Sequence, residues 1–230
     1  MVTCQETASR TRLAGWPRHD DQRGRRAGPG MTTSVAGVLL AAGEGSRIGQ
    51  PKALIVIAGQ SLASRGAGLL RDGGADPVIV VSGAAAPASL PPDVQVVHNP
   101  DWRTGMGSSL VAGLHAVPGH CTAAVLALAD QPLVGAEAVR RLIQARADGA
   151  SVAVAAYDGK PRNPVLIGRE HWPEVIEMAV GDVGARPFLR AKSALVTLIE
   201  CGDTGRPDDI DTLDDLARVE EVLGGPTPFP

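Results

Sequence analysis

The sequence predicts a three-layer α/β domain, doubly wound around a mostly parallel sheet. Three observations carry that expectation. Short apolar runs rich in Val, Leu and Ala recur along the chain, as in strands buried on both faces. Segments with helical periodicity separate them. Aromatics make up only 3% of the 230 residues against 28 glycines, which fits closely packed α/β units with many turns better than an aromatic-rich sandwich. Alternation of this kind implies parallel strands joined by right-handed crossovers.

Residues 34–41 are a near-continuous apolar run and the first strand. Ser61 is placed to cap a helix running to Asp72, which Gly73-Gly74 ends. Residues 77–83 and 94–98 are the second and third buried strands. A helix is expected over 106–117, with Leu110, Gly113 and Leu114 on one face. Residues 123–130 form an apolar strand that ends on an acid, and an amphipathic helix follows over 135–148 with Val139, Leu142 and Ile143 inward. Residues 151–157, 164–168 and 194–200 read as strands, and 170–180 and 184–191 as helical segments. The last helix is Thr212–Leu223, whose opening Thr-Leu-Asp-Asp has capping-box spacing. Ligands of such sheets sit beyond the carboxyl ends of the strands, so the loops after 41, 83, 98 and 130 are expected to line one crevice.

The bulk numbers exclude several classes. A chain of this length buries a core without staples, and one large domain accounts for it. The first 30 residues hold six Arg and three acids, a net of +3; with −3 overall, the remaining 200 carry −6. That argues against a general nucleic-acid binder. Cys4, Cys121 and Cys201 are sparse and widely spaced, as expected in a reducing compartment without a disulfide framework. No apolar run approaches the length of a membrane span. Arg25-Arg26 before an apolar run loosely mimics a twin-arginine signal, but the run is short, and cleavage there would separate the strand from the loop that follows. The expected organisation is a disordered basic extension over 1–30, one domain over 31–224 and a frayed tail over 225–230, in the cytoplasm.

The stretch Val38–Lys52, VLLAAGEGSRIGQPK, leaves a buried strand through Gly43, Gly45 and Gly49 and places Arg47 and Lys52 in the flexible part. Its spacing is Gly-x-Gly-x-x-x-Gly, one residue too long for the dinucleotide fingerprint, and Pro51 interrupts where that fingerprint feeds a helix. It fits no register of the P-loop. A triphosphate-binding loop with its own cations remains: glycines let backbone N–H groups approach the nucleotide, Arg47 offers a planar fork and Lys52 a point charge. A plain strand-to-helix turn with solvated cations is the competing explanation.

The segment LLAAGEGSRIGQPKALI resembles the signature loop of the MobA-like nucleotidyltransferase family, more specifically its MocA-like branch, the molybdenum cofactor cytidylyltransferases. NPDWRTGMGSSLVAGL (99–114), LADQPLV (128–134), GDVGAR (181–186) and DIDTLDDL (209–216) resemble four further motifs of that family in the same order. The resemblance covers about residues 35–223 and implies a Rossmann-like nucleotidyltransferase fold. It implies that Asp130, at the end of an apolar strand, and Asp211 are Mg²⁺ ligands, with phosphates completing the shell. Asp209 is read instead as a negative charge favouring the last helix dipole. No Cys/His cluster or His-Glu-x-x-His motif suggests zinc.

The implied chemistry is nucleotidyl transfer, in which an acceptor oxygen attacks the α-phosphorus and pyrophosphate leaves; neutralising phosphate charge and positioning the attacker are the main demands. Arg47, Lys52 and Asp130 are the expected catalytic residues. Backbone groups of Leu40, Ala41, Ala42 and Gly43, with the loop at Gly83, are expected to read the base, and Gly45 to admit the phosphates. Ala42 in the Ala-Ala-Gly triplet implies CTP rather than GTP. The helix start at Gly105, with Ser108 and Ser109, suits an acceptor phosphate; the resemblance adds Asp182 and Arg186. One departure stands out: Arg162-Asn163-Pro164 occupies the place where relatives carry Gly-[His/Asn]-Pro, which leaves Asn163 to hydrogen-bond the acceptor without titrating. An acceptor that is itself a phosphate, as on molybdopterin, needs no strong base. The expected function is CMP transfer from CTP to a molybdopterin-type cofactor, with a molybdoenzyme as recipient. GTP, another small phosphate acceptor, or a catalytically silent nucleotide-binding chaperone are the alternatives.

Overall fold

The computed structural model describes residues 34–87 and 89–224, so the expected extension over 1–30 and the tail over 225–230 lie outside the described residues. Nine strands and six helices follow in order among them. The strands are β1 (Val35–Ala41), β2 (Val56–Ile57), β3 (Gln60–Ser61), β4 (Val78–Ser82), β5 (Gln95–His98), β6 (Ala123–Leu128), β7 (Val152–Tyr157), β8 (Lys160–Gly168) and β9 (Val196–Glu200). The helices are α1 (Leu62–Asp72), α2 (Met106–Ala116), α3 (Ala136–Ala147), α4 (Trp172–Met178), α5 (Arg186–Ala191) and α6 (Leu213–Gly224). Seven strands form one sheet in the order β5-β4-β1-β6-β8-β7-β9, and β2 pairs with β3 in a small antiparallel ribbon. All pairings in the large sheet are parallel except those of β8, which runs antiparallel to both β6 and β7.

Period-2 alternation divides the core. From β1, Val35, Leu39 and Ala41 join the face covered by α1 and α3, where Leu70, Val139 and Leu142 are buried. Ala36 and Val38 point to the face covered by α2, α4 and α5, with Leu110, Leu114, Val175 and Phe188. The helices come close because they carry glycine at the contact. A Cβ at Gly66 of α1 would lie 2.6 Å from Leu39 Cδ1, and one at Gly113 of α2 would lie 2.5 Å from Val38 Cγ1. A third cluster of Ile55, Ile57, Leu62, Ile210 and Val219 docks α6 against β2 and α1.

Helix starts follow local chemistry. Ser64 N donates to Ser61 Oγ at 3.1 Å, capping α1 as its sequence predicts. At α6 the capping box is reciprocal: Thr212 N donates to Asp215 Oδ2 (2.8 Å) and Asp215 N to Thr212 Oγ1 (3.2 Å). The Thr212 hydroxyl, which donates to Asp215 Oδ2 at 2.7 Å, and then the backbone N–H groups of Thr212 and Asp211 hold the Asp215 carboxyl down at about 2.

Two sequence expectations are corrected. β5 is an exposed edge strand rather than a buried one, because it pairs only with β4. β8 begins at Lys160 and not near residue 164: Asp158 (φ 53°) and Gly159 (φ 71°) form a tight turn that pairs Tyr157 with Lys160. Asp-Gly is the preferred pair for two-residue hairpins, and the Glu200 carboxylate accepts from both turn N–H groups.

Replacing Ser61 by Ala is expected to lower stability by about 1 kcal/mol, within the 0.5–2 kcal/mol range of lost caps, while Ser61→Asp retains most of it. Urea unfolding followed by circular dichroism measures both.

Candidate active site

A cavity of about 640 Å³ opens at the carboxyl ends of the central strands. The exit of β1 supplies Leu40, Ala41, Ala42 and Gly43; the segment after β5 and the start of α2 supply Trp102, Arg103, Gly105, Met106 and Ser109; the exit of β6 supplies Leu128, Ala129 and Asp130. Lys52 and Asp182 complete much of the wall. The crevice expected from strand order is therefore present, with the loops after 41, 98 and 130 in it.

Lys52 opens a single 3-10 turn (Lys52–Leu54) after Pro51. Its Nζ lies 2.8 Å from Asp130 Oδ2 and 2.7 Å from Asp211 Oδ1, with the Lys52 side chain only 18% exposed. The cation and the two acids are thus directly bonded, instead of facing one another across the crevice. Asp211 belongs to the wall of a second cavity of about 700 Å³, so the ammonium joins the two. Desolvation alone would lower the Lys52 pKa, but the Asp130 and Asp211 carboxylates outweigh it and raise it above 10.5. With both carboxylates ionised, the stability linked to the Lys52 proton is present in full below pH 10.5 and is lost as the pH rises past the raised value.

Asp209, which the sequence assigns to the helix dipole, joins this carboxylate group. The α6 start is already satisfied by Asp215, and Asp209 Oδ1 accepts from Gln131 Nε2 at 2.9 Å. Gln131 is buried, and Ile210 N donates to Asp130 O at 2.9 Å, so the two acidic strips are tied together through backbone and side chain. Partial desolvation and then the negative charge of Asp130 push the Asp209 carboxyl above its ordinary range.

The other expected site residues divide. Gly45 sits at φ 65° where the loop folds back, and a Cβ there would collide with the Gln50 carbonyl oxygen. Arg47 is exposed on the turn Gly45–Gly49 and does not line the cavity. Gly83 does not line it either: a Cβ would lie 2.6 Å from Trp102 Cβ and 2.7 Å from Ala42 Cβ, so this glycine leaves room for Trp102 to sit in the cavity wall. Ser108 is committed internally, since its Oγ donates toward Asp101 O and Gly105 O and accepts from Asn99 Nδ2. Ser109 is buried, accepts from the same Asn99 Nδ2 at 3.0 Å and lines the cavity. Asp182 accepts from Met106 N at 3.3 Å at the start of α2. Arg186 is exposed at the first position of α5, outside the wall and without an ion pair to Asp182; Asn163, in β8, is also outside it.

Sequence reading missed Asn99, Trp102, Arg103 and Met106 as individual residues, although they stand in a quoted motif. The available signal was an Asn-Pro-Asp-Trp-Arg run between a strand end and a helix start, where a site loop belongs.

No group of three or more His, Cys, Asp or Glu side chains is arranged to hold a metal among the described residues. Asp130 and Asp211 are nonetheless hard oxygen donors that already share one cation, Lys52, and a pair of this kind fits a divalent ion whose shell phosphates complete. Asp209→Asn, which keeps an acceptor for Gln131, is expected to raise the melting temperature slightly at neutral pH. A raised carboxyl pKa costs stability only when the group ionises, so the gain should vanish as the pH falls below 3.8. Equal melting curves at neutral pH would contradict it.

A curated relative from Paenarthrobacter nicotinovorans, nicotine blue oxidoreductase, is 40% identical over 199 residues, 80% of this chain and 96% of its own. A probable molybdenum cofactor guanylyltransferase of Opitutus terrae is 34% identical over 133 residues, 55% of this chain and 63% of its own. The crystal structure of Rv0371c from Mycobacterium tuberculosis H37Rv superimposes with a TM-score of 0.72 at 28% identity, covering 83% of this chain and all of that one. A manganese complex of Rv0371C aligns with a TM-score of 0.65 at 27% identity, over 82% of this chain and 99% of that one. The family model described as MobA-like NTP transferase domain matches residues 37–196, and the chain belongs to this family of nucleotidyltransferases.

Proposed function

We propose that the chain transfers CMP from CTP to the phosphate of a molybdopterin-type cofactor, releasing pyrophosphate. The observation that carries nucleotidyl transfer is the Lys52 ammonium shared by Asp130 and Asp211 at the mouth of the β1 and β6 exits. Asp130 and Asp211 would hold a divalent ion, Mg²⁺ by donor type, which when bound neutralises phosphate charge. Lys52 would then turn from the carboxylates to phosphate oxygens, exchanging one anionic partner for another. The acceptor phosphate oxygen forms the new bond to the α-phosphorus as the bond to the leaving pyrophosphate breaks. Its phosphate is already ionised, so the chain needs to position it and exclude water more than to remove a proton. The cytidylyl choice rests on Ala42, which lines the cavity and stands in the Ala-Ala-Gly triplet where the resemblance implies that the base is read.

A second reading has one observation in its favour: the relative from P. nicotinovorans, matched over nearly its whole length, is named an oxidoreductase. Pyrophosphate release from Mg-CTP against redox turnover of nicotine blue, measured on the same protein, separates the two.

With Mg²⁺ present, CTP at 100 times its Kd should stabilise the protein by about 2.7 kcal/mol in a thermal-shift panel with GTP, UTP and ATP. Stabilisation by GTP and not by CTP would overturn the cytidylyl choice. Asp130→Ala is expected to abolish pyrophosphate release while the folded protein persists, and Lys52→Ala to lower kcat by about 10²–10³. Unchanged turnover in Asp130→Ala would remove that residue from the metal site.

A further inference from the structure

Among the described residues, two arginines stack on tryptophans, and they differ in what else they do. Arg169 lies 4.1 Å over the Trp172 ring and donates to the carbonyls of Val117, Pro118 and Cys121. Its donors are used, and it knits β8 to the end of α2. Arg103 lies 4.4 Å over the Trp102 ring, yet its guanidinium makes no hydrogen bond or ion pair within the described residues. It is exposed and lines the cavity.

The segment that presents Arg103 is rigidly held. Asn99, 3% exposed, donates through Nδ2 to Ser108 and Ser109 Oγ and accepts from Asp101 N at 3.0 Å. Thr104 Oγ1 donates to Asp101 O at 2.8 Å. Trp102 is wedged against Gly83 and Ala42 with no room for a Cβ at residue 83. Stacking on a fixed ring removes much of the rotamer freedom of the arginine and leaves its planar fork turned to the cavity.

The charge of the wall gives this placement a purpose. Glu44, Asp130 and Asp182 line the cavity with negative charge, and Lys52 is committed to Asp130 and Asp211. Arg103 is the one uncommitted cation in that wall among the described residues. Arg47, the guanidinium that the loop pattern selects, stands outside it.

We propose that Arg103 contacts phosphate oxygens of an anion bound in this cavity, with Trp102 as the positioning residue that holds its guanidinium in place. The proposal rests on the nucleotidyltransferase reading and adds a residue to it. The anion is a phosphate group of the donor nucleotide or of the acceptor, and the two sources share the bidentate chemistry that a guanidinium recognises.

The test is calorimetric titration of the full chain and of Arg103→Gln, Arg103→Lys, Trp102→Leu and Trp102→Phe with four probes: Mg-CTP, Mg-GTP, Mg-pyrophosphate and inorganic phosphate. Arg103→Gln should bind at least one probe about tenfold or more weakly at an unchanged ligand-free melting temperature, with Arg103→Lys between it and the wild type. Trp102→Leu should show the same loss, and Trp102→Phe, which keeps a ring to stack on, should recover most of it. A loss on the nucleotide and pyrophosphate assigns Arg103 to the donor; a loss confined to inorganic phosphate assigns it to the acceptor side. Wild-type binding that is unchanged in Arg103→Gln for every probe overturns the proposal while leaving the transferase reading intact. A wild type that binds none of the four overturns both.

Discussion

The close approach of helices to both faces of β1 is the constraint from which the rest of the architecture follows. β1 is hydrogen-bonded to β4 on one side and β6 on the other, and its side chains are buried on both faces. Gly66 of α1 meets Leu39 from one side and Gly113 of α2 meets Val38 from the other. Larger residues at either contact would push a helix outward and open the layer that interior packing density demands. Small side chains elsewhere in the sheet, Ala123, Ala124 and Ala127 in the adjoining β6 and Ala153 and Ala155 in β7 farther out, suit the same thin layers. Because the strand is fixed on four sides, its exit at Ala41–Gly43 is fixed too, and it reaches the cavity at one defined place.

Around that exit the site is assembled from segments far apart in the chain. Lys52 bonds to acids 78 and 159 residues away. The backbone bond from Ile210 to Asp130 and the Gln131–Asp209 bond bring the last of these segments in, and the apolar cluster of Ile57, Leu62, Ile210 and Val219 holds α6 beneath it. Core packing thus carries the acidic strip to the cavity, while the strip's own charges, left alone, would repel one another.

Most of the fold was legible because buried parallel strands write themselves as apolar runs and helix starts as local side-chain chemistry, as at Ser61 and at Thr212–Asp215. Where pairing partners decide the outcome, local pattern falls short. Val96 reads like a core residue but lies 47% exposed on an edge, and β8 reverses direction through an Asp-Gly turn whose signal sits in two residues. The site shows the same division. Residues 40–43, Lys52 and Asp130 line the cavity because strand ends and glycine loops locate them. Arg47, Gly83 and Ser108 carry suitable chemistry, but loop curvature, a seated tryptophan and internal hydrogen bonds turn it elsewhere. Trp102 and Arg103 acquire their meaning only from each other and from Gly83, which no local pattern states.

The double ion pair of Lys52 also makes the ligand-free protein its own salt. Two carboxylates that would otherwise draw counter-ions from solution are already compensated by a tethered one, covalently present at a local concentration no dissolved cation matches. A mobile cation reaching Asp130 and Asp211 therefore meets an occupied seat, and its gain is the difference between two attractions. A polyanion that gives the ammonium somewhere else to go changes that difference. On the proposed reading, cation and polyanion would in this way be linked as joint guests, each easing the entry of the other.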